Sequence, residues 1–220
     1  MDPLIEWAAQ AETRRWRNDD AIVVAAPDLA RRDRLVVSGR PAAVAGLLAE
    51  AYAETGPGYH AVGDEDVMAA LPGLGATGHF LWMDTTDPAP GDERGAWLET
   101  DDGVAEFLAM AAPRSFAMPG GTGVRRWAAV RDDDGALIAT AAEAWSAPGL
   151  GFIAGVATHP DRRGQGLAGA LCRFVTNDLM RSAGRVALLT DVWNEAAQRT
   201  YRRLGYSLRP LMTAQPAVVR

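Results

Sequence analysis

Two segments of this 220-residue chain carry residues able to do chemistry, at defined spacings. In the first, an apolar strand predicted over Leu150–Thr158 ends in the turn His159-Pro160, and a helix begins near Leu167. Between them lie Arg162, Arg163, Gly164, Gln165 and Gly166. A helix N-terminus presents unpaired backbone N–H groups and a partial positive charge, which suits an anion. Gly164 and Gly166 remove side chains that would hold a pyrophosphate away from those groups. Arg162 and Arg163 add fixed charge and several donors. The pattern predicts a phosphate cradle. In the second segment, Asn194 stands at the start of a predicted helix and Tyr201 seven residues on, about two turns along the same face.

Both segments resemble one family. Arg163-Gly-Gln-Gly-Leu-Ala168 is similar to the Arg-x-x-Gly-x-Gly/Ala acyl-CoA signature of the GNAT superfamily of N-acetyltransferases. Asn194-Glu-Ala-Ala-Gln-Arg-Thr-Tyr201-Arg-Arg-Leu-Gly-Tyr206 resembles its Asn-x-x-Ala-x-x-x-Tyr-x-x-x-Gly-Phe/Tyr ending. The resemblance covers about residues 94–220. It implies an α/β (α+β) fold with a twisted mixed, largely antiparallel sheet flanked by helices. The implied activity is transfer of an acyl group, acetyl from acetyl-CoA, to a primary amine of a small molecule or peptide by direct attack. Carried over, Arg162, Arg163, Gly164, Gln165, Gly166, Leu167 and Ala168 hold the pyrophosphate. Val156, Ala157 and Thr158 hold pantetheine by main-chain groups where their strand splays from the next, Gly155 giving it room. Asn194 caps its helix and contacts the pantetheine arm.

Acyl transfer needs a deprotonated amine, a polarised thioester carbonyl and a proton for the departing thiolate. Tyr201 suits the last role as general acid, since a phenol is protonated at neutral pH. Many relatives carry a glutamate on the central strand, yet Leu150–Thr158 contains no acid. Glu143 on the neighbouring strand is the expected base, acting through water, with Asp191 second. His159 is accounted for by the turn. Trp127, Trp145 and Phe116 are candidates to line an apolar acceptor pocket, with core packing as the other reading. From another class comes a non-catalytic acyl-CoA-binding or interaction module that keeps the cradle without the chemistry.

Gly164-Gln-Gly-Leu-Ala-Gly169 also satisfies Gly-x-Gly-x-x-Gly, the dinucleotide fingerprint. That motif needs its first glycine at a strand end inside a βαβ unit. Here His159–Arg163 intervenes, and the preceding strands are joined by short turns.

The elements that position these residues follow the periodicity. A Pro/Gly/charge-rich stretch, Asp84–Arg94, separates a first half, residues 1–93, from a catalytic domain, residues 94–220. The first half reads as a helix over Leu4–Arg17, strands at Ala21–Ala26 and Arg34–Ser38, a helix from Arg40, a short helix at Asp64–Leu71 and a strand at His79–Met83. Its order leaves two readings, a degenerate partial copy of the second half or a structural extension. The second half reads as strands at Ala96–Glu99, Val124–Arg131, Ala136–Trp145, Leu150–Thr158 and Val186–Asp191. Further strands are expected at Tyr206–Leu208 and Ala217–Val219, with helices at Asp101–Ala111, after the cradle and at Glu195–Leu204.

Charge is uneven. Residues 1–93 hold 16 acids against 7 arginines, and residues 94–220 hold 12 against 15. A mildly basic second half suits a polyanionic cofactor, while the acidic first half argues against nucleic acid and favours a cationic amine. No segment approaches a membrane span. Neither the N-terminal sequence nor the single cysteine, Cys172, suggests export, so a cytoplasmic monomer or homodimer is expected. Cys172 lies on an apolar helix face and reads as a core residue. His60 and His79 share no ligand spacing, and no metal is expected.

Overall fold

Turn chemistry closes the hairpins first. Asp132 Oδ1 accepts from the backbone N–H of Asp134 and Ala136, and Gly135 turns the chain at φ +84°. The computed structural model describes residues 2–217. Its first elements are α1 (Pro3–Ala9), β1 (Arg14–Arg17), β2 (Ala21–Ala26), β3 (Arg34–Gly39), α2 (Pro41–Thr55), β4 (His60–Asp64), α3 (Glu65–Ala69) and β5 (Leu74–Thr85). Then come β6 (Ala96–Trp97), α4 (Val104–Ala111), β7 (Val124–Arg131), β8 (Leu137–Ala144) and β9 (Gly151–Thr158). After a 3-10 turn at Pro160–Arg162 follow α5 (Leu167–Ala183), β10 (Val186–Asp191), α6 (Glu195–Arg203) and β11 (Ser207–Pro216).

The chain groups into two units. The first takes the residues up to Trp82, Asp191–Trp193 and the chain from Arg209; the second takes Met83–Thr190 and Asn194–Leu208. A division after residue 93 differs from this grouping at three places. Residues 83–93 belong with the second unit, Asp191–Trp193 group with the first, and the chain returns to the first from Arg209, where β11 pairs antiparallel with β4, Leu211 opposite Asp64 and Ala214 opposite Ala61.

In the second unit β6, β7, β8 and β9 form an antiparallel series, and α5 carries the chain over to β10, which lies parallel to β9. Leu171, Cys172, Val175 and Leu179 of α5 are buried. In the first unit β1, β2 and β3 are antiparallel, and α2 crosses over to β4, parallel to β3. The same succession of antiparallel strands, crossover helix and parallel strand thus occurs twice. The first copy has no cradle: β3 passes into α2 through Gly39-Arg40-Pro41, and Pro41 offers no N–H.

Three expected elements differ. The helix predicted over Leu4–Arg17 ends at Ala9, because Arg14–Arg17 pairs with β2 and Trp16 buries its ring while its Nε1 donates to Glu54 of α2 at 3.1 Å. Helix α4 starts at Val104, three residues later than expected, after Gly103 at φ +77°. The strand expected at Tyr206–Leu208 is longer, β11 running from Ser207 to Pro216; of the strand expected at Ala217–Val219, Val218 and Val219 lie outside the described residues.

A half-buried ionic cluster ties α1 to the rest of the first unit. Asp2 caps α1 through Leu4 N–H at 2.9 Å, accepts from Ser38 at 2.6 Å, and meets Arg209 at 2.8 and 3.0 Å; Arg209 also bridges Asp64. Burial pushes the Asp2 pKa up, but bonds from Arg209, Ser38 and Leu4 outweigh it and hold the carboxyl below its usual value. A depressed carboxylate pKa stabilises the fold fully above its ordinary value, and the contribution is lost as pH falls through the lowered one. Arg209→Leu should therefore cost about 2 kcal/mol near neutral pH, shrinking at about pH 3. Urea denaturation at the two pH values checks this, and a pH-independent difference contradicts it.

Candidate functional site

β9 is where the sheet of the second unit opens. Its parallel ladder with β10 pairs Gly151 with Val186, Phe152 with Ala187 and Ile153 with Leu188, and ends there. β9 continues to Thr158, so from Ala154 onward its β10-facing edge is outside the ladder. Ala154, Gly155, Val156 and Thr158 are half-buried and Ala157 is buried.

On the other edge, Thr158 and Ala157 face Ala139 and Thr140 of β8, but Ala154 faces Ala142. Three steps along β9 match two along β8, a bulge that Gly155 takes up at φ +61°. Without a bulge, Gly155 would face α5 as Gly151 does, where an added Cβ would lie 2.8 Å from Leu179. Instead a Cβ on Gly155 would lie 2.5 Å from the Trp127 ring and 3.4 Å from Ala117. Arg126 reaches α5, so Trp127, next to it on β7, points to the opposite face. The missing side chain of Gly155 therefore makes room for Trp127.

The cradle is shaped by two left-handed glycines. Gly164 and Gly166 both have φ +76°, and a Cβ at either would meet nothing within 4 Å. Gly166 is the N-cap of α5 and makes no side-chain cap bond, so the first amides of a 17-residue helix face outward beside Gln165. Leu167 is buried beneath them and Ala168 half-buried. Arg162 lies 4.0 Å from Asp132, and Arg163 donates to the Ala111 carbonyl at the end of α4 at 3.2 Å. Both guanidiniums belong to the turn while directed at neighbouring acceptors.

Asn194 Oδ1 accepts from Ala197 N–H at 3.2 Å, so the cap role is realised. Tyr201, on the same helix, is buried and packs beside Tyr206 with ring centres 5.9 Å apart. Its hydroxyl is hydrogen-bonded to Cys172 of α5. Burial first, then negative charge on Cys172 or Tyr206, raises the Tyr201 pKa well above the ordinary phenol value. Burial also pushes the Cys172 thiol up to about 12, so it stays protonated and is no nucleophile near neutrality.

Glu143, the expected base, is engaged by two arginines. It is buried, with one oxygen 3.1 Å from Arg125 and the other 2.7 Å from Arg126, which also binds Asp178 of α5 at 2.9 Å. Arg126 stacks on Trp97, whose indole donates to the same Asp178. Both Glu143 oxygens are thus held by guanidiniums. Sequence reading missed this network; its only signal was Arg125-Arg126 facing an acid across a predicted hairpin. Asp191 ends β10.

Of the three aromatic candidates, Trp145 is core: its Nε1 donates to the Thr122 carbonyl and its ring packs edge-on to Phe152. Phe116 is 48% exposed and Trp127 2%. His159 Nδ1 accepts from Asp161 N–H within its turn. His79 contacts Glu65, and His60 lies near Thr77. Among the described residues no group of three or more His, Cys, Asp or Glu could hold a metal ion, and no helix is long and apolar enough to cross a membrane.

Comparison with known proteins gives a consistent picture. Residues 92–206 match the model of the acetyltransferase (GNAT) family. No curated protein matches the chain. Among solved structures, a GNAT-family protein from Novosphingobium aromaticivorans is similar at 22% identity and TM-score 0.58, over 97% of this chain and 95% of that one. A GCN5-related N-acetyltransferase from Kribbella flavida is 20% identical with TM-score 0.62, over 96% and 92%. Another from Sphaerobacter thermophilus is 19% identical with TM-score 0.61, over 90% and 80%. The likeness in fold extends through the first ninety residues.

If Glu143 is an anchor, Glu143→Gln should lower stability by about 1 kcal/mol or more, because two guanidiniums lose their charged partner. Chemical denaturation reads this directly, and an unchanged midpoint would release Glu143 from that role.

Proposed function

Since the chain belongs to the GNAT acetyltransferase family, we propose that it transfers an acyl group, acetyl in the simplest case, from acyl-CoA to an amine. One observation carries the reading: an unladdered strand edge, Ala154–Thr158, leads directly into a glycine cradle whose Cβ directions are open. The diphosphate of a coenzyme A thioester suits the first amides of α5, with Gly164 and Gly166 allowing close approach. Its pantetheine carries two amides, and an extended amide chain can pair with β9 as a strand would. Val156, Ala157 and Thr158 offer main-chain groups there. Asn194 fixes the start of α6 and so the position of Tyr201.

Tyr201 is the proposed proton donor to the departing thiolate. Its raised pKa keeps the proton on the hydroxyl throughout the neutral range, and Cys172 orients the phenol. Glu143 is not assigned as base. An amine that arrives uncharged needs no base in order to attack; the proton its nitrogen sheds on forming the amide passes to water or back to the Tyr201 oxygen once that has protonated the thiolate, and the rate should follow the amine's own ionisation.

A module that binds acyl-CoA without turning it over is the second reading, favoured by the lack of an acid on β9 and the engagement of Glu143. Steady-state release of CoA from acetyl-CoA with a panel of primary amines separates the two. The proposal expects turnover with at least one amine; tight binding without turnover on any would support the module.

Two substitutions test the parts. Gly166→Val puts a branched side chain at the helix entry in a strained left-handed conformation, and should weaken acetyl-CoA binding by more than about tenfold in titration calorimetry. Unchanged affinity in the folded variant would remove the cradle assignment. Tyr201→Phe keeps the ring and should cut turnover about 10²-fold with little change in acetyl-CoA affinity. Wild-type turnover would leave Tyr201 a core residue.

A further inference from the structure

We infer that Trp127 is the end wall of the acyl pocket and confines the donor to short acyl chains. This rests on acyl-CoA lying along β9 as proposed above. With the diphosphate at the cradle, the pantetheine arm runs back along β9 from Thr158, and the ladder with β10 closes at Ile153 and Leu188. The thioester end therefore reaches the chain near Ala154 and Gly155, at the bulge. On the face toward α5 that helix buries Leu171, Cys172 and Val175. The bulge turns Gly155 to the other face, where the edge of the Trp127 ring stands directly over it and fully buried Ala117 stands beside it.

An acyl chain extending from the thioester toward that face meets the Trp127 ring. A packed core admits extra methylenes only by moving side chains, which is unfavourable, so each added carbon works against binding. The part of the ring over Gly155 is its Cη2–Cζ3 edge, so the wall presented to an acyl chain is carbon. The indole N–H, at the other end of the ring, is buried without an acceptor among the described residues.

The test measures binding of acetyl-, butyryl- and hexanoyl-CoA to the full chain by titration calorimetry. The wild-type protein should prefer acetyl-CoA to hexanoyl-CoA by at least about tenfold. Trp127→Ala should abolish or reverse that preference, and Trp127→Phe, which keeps most of the bulk, should retain it. Trp127→Leu replaces the alanine variant should that one fail to fold. In addition, the ¹⁵N-indole resonance missing from Trp127→Phe should shift when acetyl-CoA is added to the wild-type protein. Equal wild-type affinity for all three thioesters, a folded alanine or leucine variant with the original preference, or an unmoved indole resonance would each overturn the inference while leaving acyl transfer intact. Failure of every thioester to bind would instead defeat the proposed function itself, and the inference with it.

Discussion

A strand that leaves its partner halfway exposes backbone groups that a continuous ladder would satisfy, and the site depends on that one departure. β9 pairs with β10 for three residues and then parts from it. Buried N–H and C=O groups are costly unless paired, so an open strand edge persists only where water or a ligand can serve it. The bulge at Gly155 lies just beyond the last rung. It re-aims the backbone at the end of the opening and seats Trp127 there. The same strand then ends in the His159-Pro160 turn, which delivers the chain to Gly164 and Gly166. Edge and cradle are consecutive parts of one segment, and their geometry is set together.

Around this segment the second unit is held by charge as well as by apolar packing. Glu143, Arg125, Arg126, Asp178 and Trp97 link β6, β7, β8 and α5. A buried carboxylate between two guanidiniums positions the strands that flank β9 and the helix whose N-terminus forms the cradle. Behind the cradle, Tyr201, Cys172, Tyr206 and Thr176 form a buried polar set, with Thr176 and Tyr206 hydroxyls 2.7 Å apart. Burial keeps both phenols and the thiol protonated, so the set holds protons and no charge.

The cradle was legible in the sequence because its requirements are local: glycines, a turn and a helix start within ten residues. Asn194 and Tyr201 were legible for the same reason, since two turns of one helix fix their relation. The strands of the hairpins were legible from their turns. What escaped was set by distant partners. Arg14–Arg17 carries three charges and reads as the end of a helix, yet it pairs with β2 because Trp16 gains burial against α2. Glu143 looked available until Arg125 and Arg126 were brought across the hairpin and Asp178 across α5. Gly155 was flagged correctly as a bulge, but the neighbour that needs its missing side chain lies two strands away. The return of β11 to the first unit could not be read from local pattern, because pairing with β4 spans some 150 residues of chain.

The central claim, that the opened edge of β9 and the cradle hold a single extended thioester, is tested most directly by amide hydrogen exchange with and without acetyl-CoA. The account predicts slowed exchange in two segments only a few residues apart, 154–158 and 163–168, with β7 and β8 unchanged. Protection confined to other parts of the chain under saturating acetyl-CoA would contradict it.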